Sequence, residues 1–311
     1  MPTYTLIAPA KINLLLEIIG DRPDGFHELV MVLQSIDLAD IIELKALPGD
    51  QIQLNCSHPD VPLDSSNLAH RAATLMQTQF PDRGGVEITI QKHIPIGAGL
   101  AGGSADAAAV LVGLDLMWNL GLTQAELQTL GAALGSDIPF CVSGGTALAL
   151  GRGEHLTPLP DPHQLYAVLA KYRSLSVSTP WAYKTYRQKF GDTYAKTSET
   201  QEQRRRSGPS VPLLTAINHQ DQEQIPKYLY NDLERVVLLE HPQVLALREK
   251  FQQLGCLGTL MSGSGPTVFA LMNSREEAQL LKTQLEVAVG DPDLDLWVTQ
   301  FCCSGIQLQT T

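Results

Sequence analysis

The sequence has few of the groups that proteins use to bind nucleic acid or to cross a membrane. Its 22 Lys and Arg face 33 Asp and Glu, which gives a formal net charge of −11. A chain this acidic carries no overall basic footprint for nucleic acid or anionic lipid. No apolar run approaches the roughly 20 residues of a membrane span. The first 20 residues also lack the basic region and cleavage site of a signal peptide. We therefore expect neither nucleic acid nor membrane as a partner.

Cysteine is also scarce. The five cysteines are odd in number, and no two are spaced as C-x-x-C. This pattern is typical of reduced thiols in a cytoplasmic protein and argues against a zinc site. The adjacent Cys302 and Cys303 are expected to pack rather than to react.

The remaining composition is that of a globular enzyme. The chain has 311 residues, of which 44% are apolar and 18% charged, and this length favours two domains. A proline-rich join, "PLPDPHQ" at 158–164, predicts domains over 1–158 and 159–311. The polar segment 191–211 has no apolar face and is predicted to be a mobile loop in the second domain. Its Arg204–Arg206 run is expected to be solvated.

Periodicity and capping signals predict alternating strands and helices. A Pro/Gly turn at 21–29 separates the first strands from a second extended stretch. Thr123 and Glu126 have the spacing of a capping box at the start of one helix. The other segments predicted are strands at 3–8, 12–19, 85–95 and about 166–170, further strands within 135–156, helices at 66–80, 103–119, 179–190 and 274–289, and a glycine-rich loop between strands at 255–272.

Glycines at 97, 99 and 102 match G-x-G-x-x-G, the dinucleotide-binding fingerprint. That fingerprint also needs a second parallel strand that ends in Asp or Glu roughly 20 residues later. Here the following stretch is helical, with Asp115 and Glu126 inside it, so a nicotinamide or flavin enzyme is the least favoured alternative. A Walker A loop is excluded because no Lys follows the last glycines.

What remains is a glycine-rich loop that leads into a helix. Glycine lets the backbone approach a ligand closely, and a helix N-terminus offers free N–H groups and the positive end of its dipole. The pattern therefore favours a phosphate site, with Ser104 as the helix cap and as a contact to phosphate or magnesium. The alternative is close helix packing through small residues, which fits the alanines after Ser104 but not four glycines before it.

Three segments together resemble the GHMP small-molecule kinases. They are "APAKINLLLEIIGDRPDGFHEL" (8–29), "PIGAGLAGGSADAAAVL" (95–111) and "GTLMSGSGPTVFAL" (258–271). The second departs from the family's phosphate loop at Ala101 and Ala105, where the family has glycine and serine. Both replacements are small, so we expect the loop to be retained.

The resemblance implies an α+β fold with two domains. The N-terminal domain would resemble ribosomal protein S5 domain 2, and the C-terminal domain would be ferredoxin-like. It also implies transfer of the γ-phosphate of ATP to an alcohol, with Mg²⁺ arriving on the ATP. The "DGFHEL" element is similar to members whose substrate is a cytidine diphosphate sugar-alcohol, phosphorylated on its 2-hydroxyl. We expect a monomer, with a weak dimer as the alternative.

Lys11 and Asp137 are the predicted catalytic pair. Lys11 interrupts an apolar strand, so its charge needs a partner unless the side chain reaches solvent at a sheet edge. Asp137 follows a helix in "LGSDIPF", where it could also bond its own turn. In the resembling kinases this aspartate faces the acceptor hydroxyl, where it could accept the proton. Lys11 beside it would keep the carboxylate ionised and polarise the hydroxyl.

The resemblance also assigns binding residues. In the substrate site, Asn13 shares a strand face with Lys11, Phe26 would stack on cytosine, and His27 would bond its edge. Tyr183 would cover the other face of the base and Thr179 would bond nearby, with core packing as the alternative for both. Asn67 and Lys92 match positions that line the ATP site, although a helix N-cap and an exposed strand lysine are the simpler alternatives. The predicted phosphate loop comprises Pro95, Ile96, Gly97, Ala98, Gly99, Leu100, Ala101, Gly102, Gly103, Ser104 and Ala105.

Two other functions stay open. A GHMP kinase could act on a different alcohol, although "DGFHEL" argues against this. The chain could also be a non-catalytic nucleotide sensor on the same fold. The presence of both Lys11 and Asp137 argues against a sensor.

Overall fold

The computed structural model describes residues 3–162 and 165–309. Within these ranges the chain forms twelve strands and ten helices, with short 3₁₀ turns at Gly191–Thr193 and Ile225–Tyr228. The strands are β1 (Thr3–Asp21), β2 (His27–Leu47), β3 (Ile52–Cys56), β4 (Gly85–Gln91), β5 (Thr146–Gly151), β6 (His155–Leu159), β7 (Tyr166–Tyr172), β8 (Tyr230–Asn231), β9 (Gly258–Met261), β10 (Val268–Met272), β11 (Leu294–Gln300) and β12 (Gln307–Leu308). The helices are α1 (Leu68–Gln79), α2 (Gly102–Trp118), α3 (Gln124–Ala132), α4 (Ile138–Ser143), α5 (Thr179–Phe190), α6 (Ser198–Ser207), α7 (Ser210–Asn218), α8 (Glu234–Glu240), α9 (Pro242–Gln253) and α10 (Arg275–Val289).

The strands form two sheets. The first has the order β12-β1-β2-β4-β3, with β5 and β6 joined to β2 and β8 joined to β1. The second has the order β11-β7-β10-β9 and is antiparallel throughout. This mixture agrees with the α+β class expected from the sequence. The boundary between 158 and 159 stays a prediction, since β8 and β12 from the second half also pair with β1.

A long antiparallel hairpin, β1 with β2, forms the centre of the first sheet. The turn predicted at 21–29 is present but shorter, over 22–26, and Gly25 adopts a φ of 85° there. The prediction of separate strands at 3–8 and 12–19 was wrong, because β1 is continuous. A register shift between Pro9 and Ala10 accommodates the proline, which cannot donate to the ladder.

The two faces of β1 meet different cores. Ala10, Ile12 and Leu14 are fully buried in the apolar cluster that contains α2. A register shift between Asn13 and Leu15 then changes which side chains of β1 face each side of the sheet. Leu16 packs in a second apolar cluster, which includes residues of β7 and β10. The face that carries Lys11 and Asn13 therefore opens on the junction between the two sheets.

α2 is the central helix of the first core. It is apolar on nearly every side, and Ala105 to Leu111 are buried without interruption. Gly113 lets the helix approach the sheet, because a Cβ there would collide with Leu44 Cδ1 and lie 2.9 Å from Leu6 Cδ1. The capping box of Thr123 and Glu126 is present as predicted at the start of α3.

Three segments differ from the sequence-based expectation. α4 replaces part of a predicted turn-and-strand region at 135–156. The predicted join at 158–164 begins inside β6, and residues 163–164 lie outside the described residues. The predicted loop at 191–211 is largely helical: α6 starts at a capping box of Thr197 and Thr200, and α7 follows. The capping box, rather than an apolar face, stabilises the N-terminus of α6. The expected mobility of the segment stays a prediction.

In the part of the chain that the structure describes, no helix has the combination of length and apolar character needed to cross a membrane.

Gly113→Ala should destabilise the protein by about 1–3 kcal/mol, because the new methyl group overpacks the contact between α2 and β2. The free energy of unfolding in urea measures this. Gly191→Ala is the matched control, since Gly191 has a φ of −57° and a Cβ there would meet only Arg187 Cγ at 4.0 Å. Equal unfolding free energies for the two variants would contradict the packing described for Gly113.

Candidate active site

One cleft of about 800 Å³ lies between the glycine-rich loop, β1, the β1–β2 turn and the start of α5. Every predicted site residue except Ala105 lines it. The methyl group of Ala105 is fully buried in the core, and its N–H donates to the Ala101 carbonyl oxygen. Ala105 is therefore part of the helix interior and does not line the cleft, and its contact with ATP stays a prediction without support from this geometry.

The predicted catalytic pair meets at the centre of the cleft. Lys11 Nζ lies 3.6 Å from Asp137 Oδ2 and donates to Asn13 Oδ1 at 2.7 Å. Lys11 is 4% exposed, so β1 brings its charge into the protein rather than out to a sheet edge. Asp137 occupies the N-cap position of α4, yet within the described residues its side chain makes no capping hydrogen bond. The carboxylate is thus partly exposed to the cleft and available to a ligand.

The glycine-rich loop has the backbone conformation that its sequence suggests. Gly97 and Gly99 have φ values of 59° and 74°. Ala101 also adopts a left-handed φ of 59° and is the N-cap of α2. The helix thus begins at Gly102, one residue before the predicted start at 103, so Ser104 lies in its first turn and is not its cap. The first residues of α2, Gly102 to Ser104, line the cleft, and a helix N-terminus suits an anion.

A second glycine-rich loop, 262–265, packs behind the first. A Cβ on Gly99 would collide with the Ser262 carbonyl oxygen. The Ser262 hydroxyl donates to the Gly99 carbonyl oxygen at 3.1 Å and accepts from the Asn13 N–H at 3.3 Å. Asn231 donates to the Met261 and Gly263 carbonyl oxygens, both at 2.8 Å. The C-terminal glycine motif therefore shapes the phosphate loop.

Lys92 is buried, which neither expectation for it anticipated. Its Nζ lies 2.5 Å from Asp40 Oδ2 and 2.7 Å from Asp106 Oδ2. A Cβ on Gly102 would lie 3.0 Å from Lys92 Nζ. The ion triad of Lys92, Asp40 and Asp106 therefore packs against the phosphate loop at Gly102. Burial alone would lower the pKa of Lys92, but the two carboxylates raise it. Lys92 therefore stays protonated.

Asp106 and Asn67 also line the cleft. Burial raises the pKa of Asp106, and its Oδ1 lacks a hydrogen-bond partner among the described residues. Asn67 is the N-cap of α1, with Oδ1 accepting from the Ala69 N–H at 2.8 Å. The capping role foreseen as the simpler alternative is thus present, and a contact with ATP stays a prediction.

Aromatic side chains form the other end of the cleft. The His27 and Tyr183 rings are 5.1 Å apart, centre to centre. Phe26 is 50% exposed, with the Arg152 guanidinium 4.8 Å from the centre of its ring. The Thr179 hydroxyl lies 2.7 Å from that of Ser264. An aromatic ligand could enter between these groups, because the Phe26 ring is not covered by another aromatic ring among the described residues.

His27 is 7% exposed. Desolvation, helped by Arg187, lowers its pKa to about 4. Its Nε2 has no hydrogen-bond partner in the described chain. A neutral imidazole with an unused ring nitrogen is suited to bonding a heterocyclic base.

Several cleft residues were missed in the sequence. Arg152 and Arg187 bring positive charge, so five Lys or Arg side chains line the cleft against three Asp. The cleft thus suits a polyphosphate although the whole chain is acidic. The flanking glycines in "GRGEHL" are a sequence signal that could have identified Arg152. No local signal marks Arg187 or Asn231, because the partners that hold them in place lie 30 or more residues away in the chain. Asp106 was missed although its partner Lys92 is only 14 residues away.

Comparison with known proteins gives two family matches. The GHMP kinases N terminal domain matches residues 67–145, and the GHMP kinases C terminal domain matches residues 213–290. A protein of Acaryochloris marina named 4-diphosphocytidyl-2-C-methyl-D-erythritol kinase is 73% identical over 99% of both chains. One of the same name from Thermosynechococcus vestitus is 57% identical, over 99% of this chain and 100% of its own.

Solved structures agree with these matches. A crystal structure of a 4-(cytidine 5'-diphospho)-2C-methyl-D-erythritol kinase aligns with a TM-score of 0.74 and 30% identity, over 96% of this chain and 98% of that one. A homoserine kinase from Cytophaga hutchinsonii aligns with a TM-score of 0.77 over 99% and 98%, but its 19% identity supports the fold alone.

Lys92→Met should lower the free energy of unfolding by about 3–5 kcal/mol, because it leaves two buried carboxylates without a cation. Lys45→Met is the matched control. Lys45 is half exposed and pairs with Glu87 at 3.6 Å, and such surface pairs contribute about 0–1 kcal/mol. If both variants lost a similar free energy of unfolding in urea, the buried triad would stabilise the protein no more than a surface ion pair does.

His27 should make stability depend on pH below neutrality. Between pH 6.5 and about 4 the unfolded chain binds a proton that folded His27 does not. Unfolding therefore becomes easier as the pH falls through this window, by up to roughly 3 kcal/mol. His27→Gln should remove this part of the pH dependence in unfolding measurements from pH 7 to 4. Parallel curves for the variant and the intact chain would contradict the lowered pKa.

Proposed function

The chain belongs to the GHMP kinases, in the branch of the 4-diphosphocytidyl-2-C-methyl-D-erythritol kinases, and we propose that it transfers the γ-phosphate of ATP to the 2-hydroxyl of 4-diphosphocytidyl-2-C-methyl-D-erythritol. The products are the 2-phosphate and ADP, in the methylerythritol phosphate route to isoprenoid precursors. The observation that carries this proposal is that one cleft joins a phosphate loop, the Lys11–Asp137 pair and the rings of His27 and Tyr183.

In this proposal the phosphate loop binds the phosphates of ATP. Gly97, Gly99 and Ala101, which all have a left-handed φ, line the cleft. The dipole of the 17-residue helix α2 adds positive potential at its N-terminus. Gly103 leaves space for the ligand, since a Cβ there would meet only Leu68 Cδ1, at 3.8 Å.

Asp137 and Lys11 act on the acceptor. The hydroxyl oxygen attacks the γ-phosphorus, the bond from that phosphorus to the β–γ bridging oxygen breaks, and ADP leaves with the electron pair. The hydroxyl proton passes to Asp137. Lys11, held by Asn13, orients the carboxylate and polarises the hydroxyl. Because phosphoryl transfer has a loose transition state, this positioning contributes more than the strength of the base.

Substrate selection takes place at the aromatic end. Phe26 stacks on the cytosine, Tyr183 covers its other face, and neutral His27 bonds the edge of the base through its unused nitrogen. Thr179 bonds nearby. Phenylalanine at position 26 keeps the ring face needed for stacking.

Magnesium is expected to arrive with ATP and to neutralise charge on the transferred phosphate. The described residues contain no cluster of three His, Cys, Asp or Glu that would hold a metal alone. They do fit an ion already bound to phosphate, because Asp106 lines the cleft and its buried Oδ1 has no hydrogen-bond partner among the described residues. Ser104 and Asp106 would contact such an ion.

The proposal also includes a cytoplasmic location and a monomeric state, with a weak dimer as the alternative. The odd number of cysteines and the lack of C-x-x-C support a reducing compartment. Sedimentation velocity at micromolar concentration distinguishes the monomer from the dimer.

Asp137→Asn should lower kcat with this substrate at least about 100-fold, because asparagine cannot accept the hydroxyl proton. Michaelis constants for ATP and for the alcohol should change little, since the amide keeps the size of the carboxylate and one of its two acceptor oxygens. Steady-state kinetics by ADP release measure both effects. Asp50→Asn, in the exposed β2–β3 loop, should match the intact chain.

The intact chain itself tests the substrate. If it phosphorylates only another alcohol, the selection assigned to Phe26 and His27 is wrong. If it binds ATP and phosphorylates no alcohol in a panel of GHMP substrates, the kinase proposal fails and a nucleotide sensor replaces it.

A further inference from the structure

α6 is an unusual helix because it has no buried residue. Its sequence, "SETQEQRRRS", is polar on every side, so apolar packing does not attach it to the protein. Its docking contacts are ionic instead, and they reach the strands that carry the base-binding turn.

Two buried glutamates receive these contacts. Arg205 Nη2 lies 2.5 Å from Glu28 Oε1, and Arg204 Nε lies 3.0 Å from Glu17 Oε1. The Glu17 side chain is 1% exposed and that of Glu28 is 11% exposed. A buried carboxylate without a cation is strongly unfavourable. Glu17 therefore depends on α6 for its counter-charge, and Glu28 has a second cation besides that of α6.

Glu28 links α6 directly to the turn. Its other oxygen, Oε2, lies 2.8 Å from Arg22 Nη1. Arg22 begins the turn, and its N–H donates to the Phe26 carbonyl oxygen at 2.9 Å. Glu28 also directly follows His27. The Glu28 carboxylate therefore connects α6 to the turn. One of its oxygens pairs with Arg205 of α6, and the other pairs with Arg22 at the start of the turn.

α5 holds the same turn from a second direction. Arg187 Nε lies 2.7 Å from Asp21 Oδ1, and Arg187 Nη2 donates to the Gly25 carbonyl oxygen at 3.1 Å. Phe26 itself is half exposed and is not fixed by the core. The conformation of the turn is thus set by polar contacts from both helices.

We propose that Arg205 is a positioning residue for substrate selection, which acts through Glu28 on the turn that carries Phe26 and His27. This inference rests on the proposed function, since it needs a cytidine-containing substrate at that turn. It assigns α6 a role in affinity for the base and none in phosphoryl transfer. Lys11, Asp137 and the phosphate loop make no hydrogen bond or ion pair with α6 in the described chain.

Arg205→Gln tests this directly. Glu28 keeps Arg22 as a partner, so the variant should fold. The Michaelis constant for the cytidine diphosphate substrate should rise about tenfold, the effect of losing one charge-assisted hydrogen bond. The Michaelis constant for ATP and kcat should stay within about twofold, because the phosphate end is untouched. A merely structural defect would instead lower the active fraction, and hence kcat.

The chain offers a matched control in the next residue. Arg206 is 77% exposed and pairs with Glu202 on its own helix, so Arg206→Gln should behave like the intact chain. Arg205→Lys keeps the charge without the planar fork and should give an intermediate Michaelis constant. The double variant Glu28→Gln with Arg205→Gln should have the same Michaelis constant for the cytidine diphosphate substrate as Glu28→Gln alone. The reason is that both changes break the same Arg205–Glu28 contact.

Three results would overturn the inference. The first is an unchanged substrate Michaelis constant in Arg205→Gln. The second is an equal rise for ATP and the alcohol. The third is additivity of Glu28→Gln and Arg205→Gln. An intact chain that phosphorylates no cytidine diphosphate alcohol would instead contradict the proposed function, and the inference with it. Calorimetric binding of cytidine diphosphate separates these cases, because it reports on the base site without turnover.

Discussion

A lysine buried in an apolar strand is the constraint on which the arrangement of the site depends. Lys11 is almost inaccessible to solvent, so its charge requires partners inside the protein. Asn13 supplies one from the same strand face, and Asp137 supplies the other from the start of α4. The Lys11 backbone N–H also donates to the Leu100 carbonyl oxygen at 3.1 Å. One residue thus connects the strand, the candidate base and the phosphate loop.

The two glycine motifs are a single structural feature divided along the sequence. Gly99 and Ser262, 163 residues apart, are joined by a hydrogen bond. Their backbones approach so closely that a Cβ on Gly99 would not fit. The first loop keeps its shape because the second supports it, and Asn231 holds the second in turn. A change in either loop is therefore expected to affect phosphate binding.

Local signals in the sequence predicted much of the fold. The helices corresponding to α1, α2, α3, α5 and α10, and the β1–β2 turn, follow from caps, periodicity and glycine, which act within a few residues. The apolar strand around Lys11 predicted that its charge needs a partner, and the resemblance to the GHMP kinases identified Asp137 as that partner. Lys92 was harder, since polar neighbours on both sides suggest an exposed strand end. Its partner Asp40 lies 52 residues away, so burial came from tertiary contacts alone.

The rule that a charge in an apolar strand needs a partner also applies to the helical segment at 191–211. "LLLEIIG" places Glu17 in a stretch as apolar as the one around Lys11, so its charge also requires a partner. Arg204–Arg206 is the densest group of cations in the chain, and Arg204 is that partner. Treated as a solvated run, these arginines had no role. Treated as the counter-charge of buried glutamates, they predict that the polar segment packs against the hairpin, where Arg205 pairs with Glu28 next to the turn at the substrate end of the cleft.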